Sequence, residues 1–355
     1  MTCPAKLLIA LLFASAAWPA PLTQIEIFRA GEGGYHAYRI PALIVTKKGT
    51  LLAFCEGRKT SGSDAGDIDV LLRRSFDRGK TWSPVAKVAD MGSDTVGNPT
   101  PVVERKTGTI FLLLTANPGT ATERQITDAA PGAVRAVWIT HSIDDGASWA
   151  PPVDITAQVK RPDWTWYATG PGNGIQLRSG RLVIPCDHNG HSHVIYSDDR
   201  GATWKIGGVA EEKTNESAIA ELKDGSLLLN MRSYHGKHRR AIQRSRDGGL
   251  TWSPLAFDDA LIEPVCEASL ISIGQGRLLF ANPAATTRSH LTVRLSKDDG
   301  ATWSASRLLY EGPSAYSSLA RLRGGKIGLL YERGERSPYE QITFAQFDVY
   351  ALLAR

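Results

Sequence analysis

Short apolar runs bounded by polar turn residues recur along almost the whole chain. Asp69-Val70-Leu71-Leu72, Ala136-Val137-Trp138-Ile139, His193-Val194-Ile195-Tyr196 and Leu291-Thr292-Val293-Arg294 are typical, rich in side chains that suit a pleated surface. Beyond the N-terminus no helical period stands out, and glycine and proline punctuate the sequence. The pattern predicts an all-β fold.

After each of these runs comes a second pattern. SFDRGKTW starts at Ser75, SIDDGASW at Ser142, SDDRGATW at Ser197, SRDGGLTW at Ser245 and SKDDGATW at Ser296. Each reads Ser-x-Asp-x-Gly-x-Thr/Ser-Trp. The Asp and Gly suit a tight turn, the hydroxyls can bond nearby amides, and the Trp is expected to anchor the turn on its own strands. Successive copies start 48 to 67 residues apart, which fits four short strands and their connections rather than a helical repeat. The box therefore joins the third and fourth strands of a propeller blade. Five boxes, with room at both ends for a blade that lacks one, predict a six-bladed β-propeller filling residues 18–355 as a single domain.

At the N-terminus, Lys6 precedes the apolar stretch Leu7 to Ala17, too short to span a bilayer. Residues 1–17 read as a signal peptide, so the chain is expected outside the cytoplasm, secreted or periplasmic, with no stable membrane insertion. Cys55, Cys186 and Cys266 lack metal-type spacing and permit at most one disulfide. The formal charge of +5 comes from scattered Lys and Arg without aromatic interleaving, which argues against nucleic acid and for an anionic substrate. His188, His191 and His193 lie close together, but their spacing matches no established metal site, so they read as hydrogen-bonding residues.

Three arginines stand at strand entrances or exits in separate blades. Arg39 lies in Tyr38-Arg39-Ile40-Pro41, Arg232 ends Leu227-Leu-Leu-Asn-Met-Arg, and Arg288 precedes Ser-His-Leu-Thr-Val. An arginine beside an apolar strand needs an anionic partner, and converging guanidiniums make a carboxylate or phosphate clamp.

Tyr38-Arg-Ile-Pro41 followed by the boxes resembles the exo-alpha-sialidases (neuraminidases) of bacterial and animal type. Further segments fit in order: Cys55-Glu-Gly-Arg58, Ser63 to Asp69, Gly97 to Pro101, Asn215-Glu-Ser217, Leu229 to Arg232, Asn282 to Arg288, Tyr316, and Leu330-Tyr-Glu332. The resemblance implies hydrolysis of terminal sialic acids from glycoproteins, glycolipids or oligosaccharides, without a cofactor. It makes Arg39, Arg232 and Arg288 the clamp on the sugar carboxylate, Tyr316 the nucleophile, Glu216 its base and Asp64 the general acid. Glu332 orients Arg39. Arg58 resembles the arginine near the sugar's 4-hydroxyl, and Asn98 stands where many members place an Asp. Hydrolysis would retain configuration through a covalent tyrosyl intermediate. Asp163 to Tyr167, with two tryptophans, could line the acyl or aglycone side. Other classes stay open from the residues: a box propeller that only binds glycan or protein, a trans-sialidase, or a glycosidase for another 2-keto acid sugar such as Kdo.

Overall fold

The computed structural model describes residues 22–349, so the expected signal peptide at residues 1–17 lies outside the described residues. After β1 (Thr23–Arg29) the strands follow as antiparallel meanders. These are β2 (Ala37–Val45), β3 (Leu51–Arg58), β4 (Ile68–Ser75) and β5 (Ala86–Ala89), then β6 (Thr95–Val103), β7 (Ile110–Asn117), β8 (Ala136–Ser142) and β9 (Val153–Asp154). The two-residue β10 (Ala168–Thr169) and β11 (Ile175–Gln176) pair with β12 (Leu182–His188), followed by β13 (His191–Ser197) and β14 (Lys205–Glu212). Next come β15 (Thr214–Glu221), β16 (Leu227–Ser233), β17 (Arg239–Ser245) and β18 (Ala256–Ile262), then β19 (Ser269–Gly274), β20 (Arg277–Pro283) and β21 (Ser289–Ser296). The long β22 (Ala305–Arg321) ends one meander with its first half and opens the next with its second, before β23 (Lys326–Arg333) and β24 (Gln341–Asp348). The N-terminal β1 pairs antiparallel with β24. The fold is all-β and propeller-like, with one short helix, α1 (Glu123–Thr127), that bears on the site.

Apolar layers fill the spaces between neighbouring meanders. Leu52, Phe54 and Leu72 meet Leu112 and Leu114 in one layer, and Leu182 and Ile184 meet Leu113 and Val137 in the next. Ile27, Leu43, Leu71, Leu330 and Phe344 form the layer in which the two ends of the chain meet. Because strands are covered on both sides, many read as continuous apolar runs, as Leu51 to Cys55 do.

All five boxes join the third and fourth strands of their meanders and repeat one hydrogen-bond pattern. In the second, Asp144 accepts from Ser142 Oγ at 2.8 Å, from Ser148 N at 2.9 Å and from Ser148 Oγ at 2.5 Å, while Gly146 N donates to Ser142 Oγ at 2.9 Å. Three of the tryptophans depart from expectation, while Trp303 packs on Phe280 of its own meander. Trp82, Trp149 and Trp204 set their rings edge-on against Phe344, Phe54 and Phe111, all on the neighbouring meander rather than their own. The turn sits beside the adjacent sheet, where an aromatic partner offers these rings a favourable edge-on contact. The box is both a turn and a peg between sheets.

Asp144→Ala leaves three donors without their acceptor and should cost about 1–3 kcal/mol of stability, read by urea unfolding. Hydrogen bonds from the Thr81 and Thr203 hydroxyls push the Asp77 and Asp199 carboxyls down to about 2. Their folded values lie below the ordinary ~3.9, so their contribution is present above about pH 4 and is lost as pH falls towards 2. The urea midpoint should therefore be lower at about pH 3 than at pH 5, and less so in a variant lacking Asp77 and Asp199.

Candidate active site

The innermost strands carry a β-bulge near the same end. Register shifts fall between Arg39 and Ala42 in β2, Gly97 and Thr100 in β6, Thr214 and Ser217 in β15, and Ser314 and Ser317 in β22. An extra residue there bends the strand and re-aims its side chain. Ile40 (φ 58°) and Asn98 (φ 53°) take up left-handed backbone in these bulges. Arg39, Asn98, Glu216 and Tyr316 are therefore presented in or directly beside the bulges of separate sheets.

Tyr316 is the centre of the constellation. Its hydroxyl donates to Glu216 Oε1 at 2.6 Å, and Arg232 Nη1 donates to Glu216 Oε2 at 2.8 Å and to the Tyr316 oxygen at 3.2 Å. The guanidinium carbons of Arg39 and Arg288 lie 5.2 and 5.6 Å from the centre of the Tyr316 ring. Burial and the neighbouring Glu216 charge hold the phenol well above its ordinary value, opposed by Arg232 and Arg39. Tyr316 thus carries its proton at neutral pH, with a carboxylate placed to receive it and a guanidinium placed to stabilise the oxygen it leaves.

Glu332 fixes this geometry from behind. Fully buried, it accepts from Arg39 Nε at 2.7 Å and Ile40 N at 2.9 Å through one oxygen, and from Tyr316 N at 3.1 Å through the other. The two terminal nitrogens of Arg39 bond to no described residue. Arg288 donates from Nη1 to the hydroxyl of Tyr339 at 2.6 Å, and Arg39 stacks on the Tyr339 ring at 3.9 Å. Tyr339 gave no sequence signal, being one loop aromatic among many.

Asp64 and Arg58 meet on the other side of the pocket. Arg58 is 2% exposed and donates to Glu56 Oε2 at 2.7 Å and to the Gly62 carbonyl at 2.7 Å, while its Nη2 lies 2.6 Å from Asp64 Oδ1. The Asp64 side chain is 71% exposed on its loop. The surrounding walls raise its carboxyl, but Arg58, Arg39 and Arg135 outweigh them and hold it below the usual carboxylate range.

Asn98 is tied down as well. Its Oδ1 accepts from Thr115 Oγ1 at 3.0 Å and from Arg135, whose Nε donates to the Tyr167 carbonyl at 2.6 Å. Arg135 was not legible as a site residue, because it lies just before an ordinary strand; only the fold buries its fork beside the pocket. Of the run from Asp163 to Tyr167, the Trp166 ring stacks against Arg135 at 4.4 Å, while Tyr167 reaches it through its carbonyl. Trp164 and Tyr167 are buried in the layer below, with Trp164 stacked on His188 at 3.5 Å. His188 Nδ1 in turn lies 3.0 Å from His193 Nδ1, and Cys55, Cys186 and Cys266 are buried free thiols.

A cavity of about 590 Å³ lies at the opposite end of the same inner strands, lined by Leu43, Ile219, Leu270 and Leu319. It holds none of these reactive groups, and Asn173 bridges strands beside it by donating to the carbonyls of Leu43 and Leu319.

Comparison with known proteins agrees with this geometry. Residues 49–329 match the family model described as a BNR repeat-like domain. An exo-alpha-sialidase of Arthroderma benhamiae is 33% identical over 350 residues, covering 90% of this chain and 83% of the relative. The chain belongs to the sialidase family. A sialidase of Bacteroides fragilis is 36% identical over 87% of the chain, which spans 62% of that relative's length. The solved structure of the Hadza microbial sialidase Hz136 superposes with a TM-score of 0.86 at 35% identity, covering 93% of this chain and 69% of that one.

Glu332→Gln keeps the shape but removes the buried charge and turns an amide towards donors. Left beside an uncompensated Arg39, the fold should lose about 3–5 kcal/mol in urea unfolding.

Proposed function

We propose that the chain is an exo-alpha-sialidase that removes terminal sialic acids from glycoconjugates with retention of configuration. The observation that carries this reading is the 2.6 Å hydrogen bond from Tyr316 to Glu216 inside a ring of three arginines. Sialic acid bears a carboxylate on its anomeric carbon. Arg39, Arg232 and Arg288 bind that group with their planar forks, and the same carboxylate repels an anionic nucleophile while admitting a neutral phenol.

In the first step the Tyr316 oxygen bonds to the anomeric carbon as its proton passes to Glu216. The bond to the leaving oxygen breaks, and Asp64 supplies that oxygen with a proton. In the second step Asp64, now a carboxylate, takes a proton from the water that attacks the anomeric carbon. The tyrosyl bond breaks, and Glu216 returns the proton to Tyr316. Two inversions give net retention. Arg58 and Asn98 border the sugar ring on the Asp64 side, and Trp166 lines the wall beyond.

We further propose six blades, the last completed by β1. This count is supported by the pairing of β1 with β24 and by the apolar layer joining Leu43 and Leu71 to Leu330 and Phe344. A crystal structure with any other number of radial sheets rejects it. Residues 1–17 are proposed to be removed on export, which N-terminal sequencing of secreted protein checks.

Tyr316→Phe removes the attacking oxygen but keeps the ring, so kcat should fall by about three orders of magnitude or more, with little change in affinity for an unsaturated sialic acid analogue. Proton NMR of wild-type turnover should show the retained anomer first. Initial release of the inverted anomer, or near-normal turnover by the Phe variant, sinks the mechanism.

Asp64 acts first as an acid, so kcat/KM for sialosides with poor leaving groups should decline as pH rises through its value. Arg58→Met removes the strongest cation opposing the effect of burial, which raises that value and moves the decline to higher pH. An activated aryl sialoside needs little protonation and should respond weakly. An unmoved decline would separate Asp64 from the proton transfer.

A further inference from the structure

One buried carboxyl joins the two walls of the pocket, and the mechanism above makes no use of it. Asp187, near the end of β12, has no exposed surface. Its Oδ1 accepts from Asn215 Nδ2 at 2.8 Å and from Trp166 Nε1 at 3.2 Å, while Oδ2 is buried without a partner. An orphaned oxygen in a fully buried carboxyl is costly and calls for a reason.

Its partners supply one. Asn215 directly precedes Glu216 in the β15 bulge, and its carbonyl accepts from Ser192 Oγ. Trp166 stacks over Arg135, whose fork holds Asn98. Asp187 therefore ties the Asn98–Arg135–Trp166 wall to the strand that presents Glu216. We infer that Asp187 is a positioning residue for the Glu216–Tyr316 pair, acting through Asn215 and braced against the opposite wall by Trp166. This rests on the sialidase reading of the site.

The chemistry of the position explains why a carboxyl can serve there. Burial and the charges of Glu216 and Glu123 hold the Asp187 carboxyl well above its usual range, opposed by Arg232 and Arg135. That shift favours the protonated form. Its proton belongs on Oδ2, which leaves Oδ1 to take both N–H donors. A carboxamide reproduces that arrangement, whereas a methyl group does not.

Asp187→Ala should lower kcat by at least about tenfold, as displacement of catalytic groups does, with affinity for the unsaturated analogue nearly unchanged; Asp187→Asn should restore kcat to within about threefold of wild type. Near-wild-type kcat in the Ala variant, or equal losses in both variants, overturns the inference. If Asp187→Ala does not fold, Asn215→Ala cuts the same link at a half-buried side chain and should reproduce the loss of kcat; unchanged kcat there overturns it. A readout independent of turnover is the Tyr316 Oη to Glu216 Oε1 contact in a crystal structure of the Ala variant. It should lengthen beyond hydrogen-bonding reach, and a preserved contact overturns the inference. Failure of the wild type to hydrolyse any sialoside would instead remove the sialidase reading, leaving the crystallographic test of Asp187 intact.

Discussion

A single buried carboxylate, Glu332, sets the geometry on which the rest of the site depends. With no exposed surface it holds Arg39 and the Ile40 amide of β2 through one oxygen and the Tyr316 amide of β22 through the other. Burying a charge is expensive unless it is paired and its lone pairs are filled. Here all three partners are donors, and they come from strands at the two ends of the chain. The cost of burial is thereby converted into a fixed relation between a cation and a phenol that lie far apart in sequence.

The pocket extends this arrangement. Arg232 neutralises Glu216, Glu56 neutralises Arg58, and Arg58 holds Asp64. Arg135 alone is buried among neutral acceptors, and burial pushes it down to about 10 against the pull of Glu56. Such a concentration of charge cannot stabilise the fold by itself. The apolar layers between sheets supply the stability, and Trp82, Trp149 and Trp204 reach across them as pegs. The bulges place the charged ends of the strands where the layers stop.

The scaffold and its reactive end are thus governed by different physics. Along each inner strand apolar residues face neighbouring sheets, and at one end the bulge turns a polar side chain inwards. The opposite end of the same strands lines a cavity that holds no such cluster.

The chain's own pattern determined what is local and repeated. Apolar runs and five Ser-x-Asp-x-Gly-x-Thr/Ser-Trp boxes sufficed to predict an all-β repeat fold and to place each box between third and fourth strands, because turn chemistry and strand patterning act within a few residues. The segments around Arg39, Asp64, Glu216, Arg232, Arg288, Tyr316 and Glu332 could be picked out by resemblance, and the structure brings these residues to one pocket. Tertiary structure alone decided what depends on contacts between sheets. Three box tryptophans peg the neighbouring meander, Arg58 is engaged by Glu56 and Asp64, and Arg135, Tyr339 and Asp187 become parts of the site. Arg135, Tyr339 and Asp187 do not differ in their local sequence from ordinary strand or loop residues. What distinguishes them is burial beside charges contributed by other sheets, and no local pattern encodes that.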